Sequence, residues 1–240
     1  MKKWKMKKWK MKKYELTGET VKIGRHTLHR IKALADFGYV KAGDIGGWIE
    51  KGENLSQDGD AWVYEDARVF GNAWVAGNAQ VYDNSFIYDG AWVYGSARVY
   101  GNAEVYGSAQ VYGSAQVYGS ARVYGNAEVY GSTRVYGNAL VYGNALVDGN
   151  PHIGGGACVC DNTHRIEIGP IGPQYDTVTF MRDRKGEIFV KVGCFFGTLD
   201  EFRKKVEETH GDNAHAEAYL LAAKLAEVRI DTTPIDDEVK

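Results

Sequence analysis

AWVYED ARVFGN AWVAGN AQVYDN SFIYDG AWVYGS, residues 61–96, opens a series of seventeen six-residue units that runs without a gap to ACVCDN, residues 157–162. Position one is Ala in fourteen units, and position three is Val in fifteen and Ile in the other two, Ile87 and Ile153. One face is therefore apolar throughout. Position two varies, position four is Tyr twelve times, and positions five and six are mostly Gly, Asp, Asn or Ser. Alternation over four residues followed by two turn formers reads as a short strand and then a corner. Asn or Gly at the last position suits the left-handed backbone that corners often need.

Two architectures accept such strands, an antiparallel meander and a coil, and strand parity separates them. In a two-residue hairpin, position four of one strand shares a side with position one of the next, so Ala would lie beside Tyr, and Val beside Arg, Glu and Gln. Both faces would then mix apolar with charged residues, and the burial that offsets chain ordering would be lost. In a coil the chain turns at each corner without reversing, so every Ala and Val points inward and every position-two side chain outward. The coil alone segregates them.

The units V-Y-G-S-A-Q and their variants resemble the hexapeptide pattern of left-handed β-helices: aliphatic, three variable residues, small, variable. That resemblance implies three hexads per turn, a triangular prism and left-handed crossovers, against the usual handedness. Seventeen hexads then make between five and six turns, and at about 4.8 Å per strand spacing the rod is roughly 27 Å long. The fold expected is mainly β: a left-handed parallel β-helix over 61–162, an N-terminal β cap, and a C-terminal β-hairpin with two helices.

The flanks follow from local pattern. Residues 1–13 hold eight lysines in a triplicated start, MKKWK MKKWK MKK, and read as a basic, disordered tail. Residues 14–60 read as a cap: Thr20–Ile23 and Thr27–Ile31 form a hairpin about Gly24 and Arg25, and Trp48 lids the apolar end of the coil. Residues 163–240 read as an α+β domain. Asp176–Arg182 and Glu187–Val192 make a hairpin, and a first helix starts at a capping box of Thr198 and Glu201 with Leu199, Phe202 and Val206 inward. A second helix from Asn213 to Val228 turns Tyr219, Leu220, Ala223 and Val228 inward, and the two helices cover the open end of the coil.

Composition bounds the function. The formal net charge is −2, and with eight lysines in the first thirteen residues the remainder carries −10. An acidic body makes DNA an improbable partner, since affinity for a phosphate backbone comes from clustered Lys and Arg. Three cysteines are too few for a disulfide framework, and no apolar run reaches the length of a membrane span. A cytoplasmic location is expected.

The order of parts resembles YdcK-like bacterial proteins and similar proteins of phages and prophages. The matching stretches are KYELTGETVKIG (13–24), IKALADFGYVKAGDIGGWIE (31–50), ENLSQDGDAWVYEDARVFGNA (53–73), CVCDNTHRIEIGPIG (158–172) and GTLDEFRKKVEETHGDN (197–213). The resemblance covers about residues 11–230, implies a trimer or another oligomer, and implies a phage origin. Many hexapeptide proteins are acyltransferases with acetyl-coenzyme A as donor, a catalytic His near a subunit boundary and a loop extruded from the coil. Here no loop interrupts residues 61–162, and the repeat has one His, His152, as candidate general base. A solvated surface His is the plainer reading of the same residue.

Other candidates are weaker in pattern. Cys158, Cys160 and His164 carry zinc-binding atoms, but C-x-C without a second close pair is a poor zinc signature. Tyrosines at position four form ladders that either stack bases and sugars or cover the strand backbone. Gly169 and Gly172 flank a segment able to expose amides, and Arg165, Arg182, Lys191 and His210 supply positive charge for an anion. Position two sorts by every third hexad into three faces, and the least charged carries Trp74, Trp92, Gln110, Glu128 and Leu146. Its exposed Trp74, Trp92 and Leu146 mark a self-association surface, and a homotrimer joined through faces of the coil and the C-terminal helices is the expected state. The function expected is a non-catalytic oligomeric binding or scaffold protein that sequesters a small phosphate-bearing or nucleotide ligand at subunit junctions; acyl transfer is the alternative.

Overall fold

A computed structural model describes residues 12–235. The basic start therefore lies outside the described residues except for Lys12 and Lys13, and Lys13 is already part of the cap. Its Nζ donates to the carbonyls of Gly59 at 3.2 Å and Ala61 at 2.9 Å.

Each hexad contributes one two-residue strand, from β4 (Trp62–Val63) to β20 (Cys158–Val159). Strands three hexads apart pair in parallel: Val99 lies beside Val117 and Val117 beside Val135, so one turn takes eighteen residues. Three sheets result. One runs β4-β7-β10-β13-β16-β19, the second β6-β9-β12-β15-β18, and the third β5-β8-β11-β14-β17-β20. The molecule is a parallel β-solenoid. Position-three side chains from Val63 to Val159 are all fully buried, as parity requires, whereas Arg98 and Arg122 are exposed and Glu104 half-buried. The two polar substitutions at position one are satisfied internally, Ser85 donating to Tyr82 O at 2.7 Å and Thr133 to Tyr130 O.

The corners differ from expectation in one detail. The left-handed residue is the fifth and not the last in every hexad before the final one, where Asp161 is extended: Gly119 has φ +71°, while Glu65, Asp83 and Asp89 hold the same conformation at 51°, 55° and 57°. Gly and Asp prevail there because an L side chain clashes with its own backbone at positive φ, least so for short polar residues.

The cap consists of the antiparallel pair β1 (Tyr14–Ile23) and β2 (His26–Ala33), then β3 (Ile45–Ile49). Strand β3 pairs in parallel with β5, Trp48 opposite Arg68 and Ile49 opposite Val69, so it forms an extra rung of the coil. Trp48 is consequently no lid. It sits at an outward position against Leu28 and Phe70, with the Arg30 guanidinium 4.3 Å above its ring. The apolar end is closed instead by Tyr14, Ile31, Ala33 and Val40, which join the coil's core. Trp62, outward by parity, is buried beneath the cap, its ring 5.3 Å from that of Phe37. Gly46 permits that approach, since a Cβ there would lie 2.6 Å from the Trp62 ring.

Beyond the coil, β21 (Arg165–Ile171), β22 (Asp176–Arg182), β23 (Ile188–Val192) and β24 (Phe195–Thr198) form an antiparallel sheet in that order. Helices α1 (Leu199–His210) and α2 (Ala214–Arg229) follow, the first with the expected Thr198–Glu201 capping box. The sheet, not the helix pair, covers the coil. Met181 on β22 enters the coil's core, while Val178 and Phe180 on the same strand pack with Phe202, Val206 and Tyr219 of the helices. Tyr219 and Ala223 are buried as expected, and Leu220 is half-buried. Val228, expected inside, is exposed.

Candidate functional site

The position-four tyrosines stack into columns. Phe70, Tyr88, Tyr106, Tyr124 and Tyr142 follow one another at 4.8–5.2 Å with planes within 5° of parallel. The strand spacing imposes this distance, which is also a favourable separation for aromatic pairs. Several hydroxyls reach the position-two side chain sixteen residues on: Tyr88 donates to Glu104, Tyr94 to Gln110, Tyr100 to Gln116 and Tyr112 to Glu128, at 3.2–3.4 Å. Burial, then the Glu128 carboxylate, pushes the Tyr112 hydroxyl up to about 12. The other columns stack as Tyr64–Tyr82, Tyr100–Tyr118–Tyr136 and Tyr94–Tyr112–Tyr130, with a hollow lined by Tyr82, Arg98 and Tyr100 where the first two are separated.

The three faces differ in how their position-two side chains are satisfied. On the face that starts at β5, Arg68 lies 5.1 Å from the Phe86 ring and Arg122 pairs with Glu104 at 3.8 Å. The face that starts at β4 carries Gln80, Arg98, Gln116 and Arg134. On the face that starts at β6, Trp74 and Trp92 meet edge to face at 5.6 Å and remain 37% and 47% exposed, and Leu146 is 37% exposed. Gln110 and Glu128 between them are held by Tyr94 and Tyr112. This is the apolar line expected from the sequence.

Where the coil meets the C-terminal sheet, a cleft of about 140 Å³ is lined by Asn150, His152, Asp176, Thr177, Thr179 and Lys191. It brings together two residues that the sequence offered separately, His152 as a base and Lys191 as an anion partner. His152 Nε2 lies 3.3 Å from the Arg134 guanidinium, and its ring meets Tyr136 edge-on. Burial, then the charges of Arg134 and Lys191, holds its pKa below the usual histidine value. Lys191 Nζ also donates to Gly193 O. Asp176, Thr177 and Thr179, all on β22, gave no signal in the sequence because they become neighbours of His152 only when the sheet closes the coil.

The other candidates do not join this cleft. Arg165 is held by Leu146 O at 2.9 Å, Asp148 and Glu167, which ties β21 to the last turns of the coil. Arg182 is fully buried and donates to the carbonyls of Asp183, Arg184 and Asp231 at 2.8–3.2 Å. Gly169 lies against Thr177, and Gly172, at φ +74°, lies beneath the Tyr219 ring, so the segment between them is packed against the sheet and α2. His210 borders a shallow hollow of about 130 Å³ with Phe202, Val206 and Tyr219. Cys158 is buried with its thiol 3.7 Å from the Tyr142 hydroxyl, and Cys160 Sγ lies 3.5 Å from His164 Nδ1. No group of three or more metal-ligating side chains occurs among the described residues.

No helix among the described residues is long and apolar enough to cross a membrane. The repeat family described as YdcK beta solenoid repeat matches residues 97–113, 115–131, 121–137 and 133–149. No curated protein matches the chain.

Proposed function

We propose that this chain, a β-solenoid protein with YdcK repeats, is a non-catalytic scaffold that self-associates, as a trimer, through one face of its coil. The observation that carries the reading is the line of Trp74, Trp92 and Leu146 on the face that starts at β6. Large apolar side chains aligned on a rigid sheet mark contact surfaces, because burying them removes apolar area from water with little further ordering of the rod. Apolar groups on the neighbouring faces already have cover within the chain: Phe86 lies under Arg68 and Trp62 under the cap. A triangular prism offers such a face to two neighbours at once when three copies close about an axis.

The test is light scattering coupled to size exclusion. Wild-type protein is expected above monomer mass, and Trp74→Glu/Trp92→Glu is expected to lose the threefold association with an unchanged circular dichroism spectrum. A double variant with wild-type mass would end the proposal.

A second reading is favoured by the cleft at His152 and Lys191. Its volume of about 140 Å³ lies below the roughly 300–1,000 Å³ of ordinary ligand pockets. A single phosphate-sized anion fits that scale better than a nucleotide, with Lys191, Asn150 and the two threonines as donors and the Asp176 carboxylate as the one opposing charge in the lining. Isothermal titration with inorganic phosphate tests it, and equal heats for wild type and Lys191→Met would dismiss it.

A further inference from the structure

Helix α2, AHAEAYLLAAKLAEVR, is apolar on both sides. Its inner side, Ala216, Tyr219, Ala222, Ala223 and Ala226, packs in the C-terminal core. Its outer side presents Leu221, Leu225 and Val228, which are 64%, 45% and 73% exposed. Glu217, Lys224 and Glu227 lie in a strip between the two sides, so the outer side is a second apolar stripe, of the kind that packs against another element. The outer residues extend to a regular series, Ala214, Ala218, Leu221, Leu225 and Val228, whose alternating spacings of four and three are those of a coiled-coil seam.

We propose that this seam packs against the same seam of a second copy, antiparallel, about a twofold axis near Leu221. Shape and charge both select that occupant and that direction. The seam is small at its start, Ala214 and Ala218, and large at its end, Leu225 and Val228. Antiparallel pairing sets Ala214 against Val228 and Ala218 against Leu225, giving the same width at both ends; parallel pairing sets Ala on Ala at one end and holds the helices apart at the other. The flanking charges agree. Glu217 and Lys224 lie on the same edge of the seam, seven residues apart, so antiparallel copies place Glu217 against Lys224 twice. Parallel copies would place Lys224 against Arg229, a like-charge contact. The seam and the coil face lie on different elements, and this contact does not depend on the coil-face reading.

Light scattering and sedimentation at matched concentration test it with the full chain. Leu221→Glu/Leu225→Glu is expected to lose the twofold contact and keep any threefold one, whereas Trp74→Glu/Trp92→Glu does the reverse, and the four-site variant is monomeric. Both leucines are exposed, so circular dichroism stays that of the wild type. Lys224→Glu gives the direction: antiparallel packing predicts at least a several-fold weaker association, because Glu217 of each copy then faces a second carboxylate in place of an ammonium. Glu217→Lys added to it restores the association. Wild-type mass in Leu221→Glu/Leu225→Glu, or a monomeric wild type, overturns the proposal. Tighter association in Lys224→Glu overturns the antiparallel arrangement, and retention of another protein in place of a second copy overturns the occupant.

Discussion

Replacing Gly119 by Ala probes what a corner of the coil demands. Gly119 sits at φ +71°, and a Cβ there would lie 3.0 Å from N and 3.2 Å from O of Gly137 in the next turn. An L residue other than Asn or Asp loses about 1–2 kcal/mol in that conformation. The close contact asks the neighbouring corner to move by a few tenths of an ångström, which places the whole effect at about 2 kcal/mol. At roughly 2–4 °C per kcal/mol for a chain of this size, the melting temperature should fall by about 4–8 °C. Asp83 occupies an equivalent corner, and its carboxylate accepts from the Gly101 amide at 2.7 Å. Gly119→Asp should therefore cost less than about 1 kcal/mol, because Asp tolerates the conformation and the Gly137 amide is in place to receive its carboxylate. Gly18→Ala, at a position where a Cβ meets nothing within 4 Å, should change stability by under about 0.5 kcal/mol. Thermal and urea unfolding followed by circular dichroism rank the three variants. Equal losses for Ala and Asp at position 119, or none for Ala, would refute the argument that conformation selects the corner residues.

Other outcomes follow from the sites already described. Arg182→Met removes three hydrogen bonds of a fully buried guanidinium, and although Gly186 N and Ile235 N still donate to the carbonyls of Asp183 and Arg184, Asp231 O loses its donor. A loss of about 1–3 kcal/mol is expected, read as early proteolysis of residues 163–235 with the coil intact. The Tyr112 hydroxyl, raised from 10.0 to about 12, binds its proton more tightly in the folded chain. Its stabilising contribution is complete below pH 10 and disappears as the pH rises from 10 through 12. Absorbance titration should show a late-ionising fraction of tyrosine in the folded protein, and a curve identical to that of the unfolded chain contradicts this. With acetyl-coenzyme A and a panel of amino sugars, no coenzyme A should be released above background; turnover that vanishes in His152→Ala would favour acyl transfer.

The coil was legible because its chemistry repeats. Position three is never polar, and a fixed parity turns that into an inward face. The extra rung at β3 was not, since Gly47 stands where the repeat has Ala and the rung is separated from Ala61 by an irregular segment; Gly47-Trp48-Ile49 against Ala67-Arg68-Val69 was the available signal. The sheet's role as lid was hidden in β22, which is buried on both sides from Val178 to Arg182: Val178 and Phe180 face the helices and Met181 the coil. Such a strand reads as buried without saying against what. Val228 was misplaced for the same reason, as α2 offers two apolar sides and periodicity does not choose between them. At the candidate site, Lys191 and His152 were legible as chemistry but not as neighbours. The charges of Arg165 and Arg182 gave no hint of the acceptors they satisfy inside the fold.

The reach from a tyrosine hydroxyl to the side chain sixteen residues on, in the following turn, fixes how this protein is able to change its length. Copying or deleting eighteen residues returns every strand to its own sheet and every position-four side chain to its own column, so the rod grows or shrinks by a full turn with both ends facing as before. A gain of six residues keeps the buried interior but advances everything after it by one side of the triangle. The C-terminal sheet and α2 would then point about a third of a revolution away from the cap, and the line of Trp74, Trp92 and Leu146 would be broken across two sides. Whole turns are the heritable unit of this architecture, and the angle between its two ends is written in the remainder when the number of hexads is divided by three.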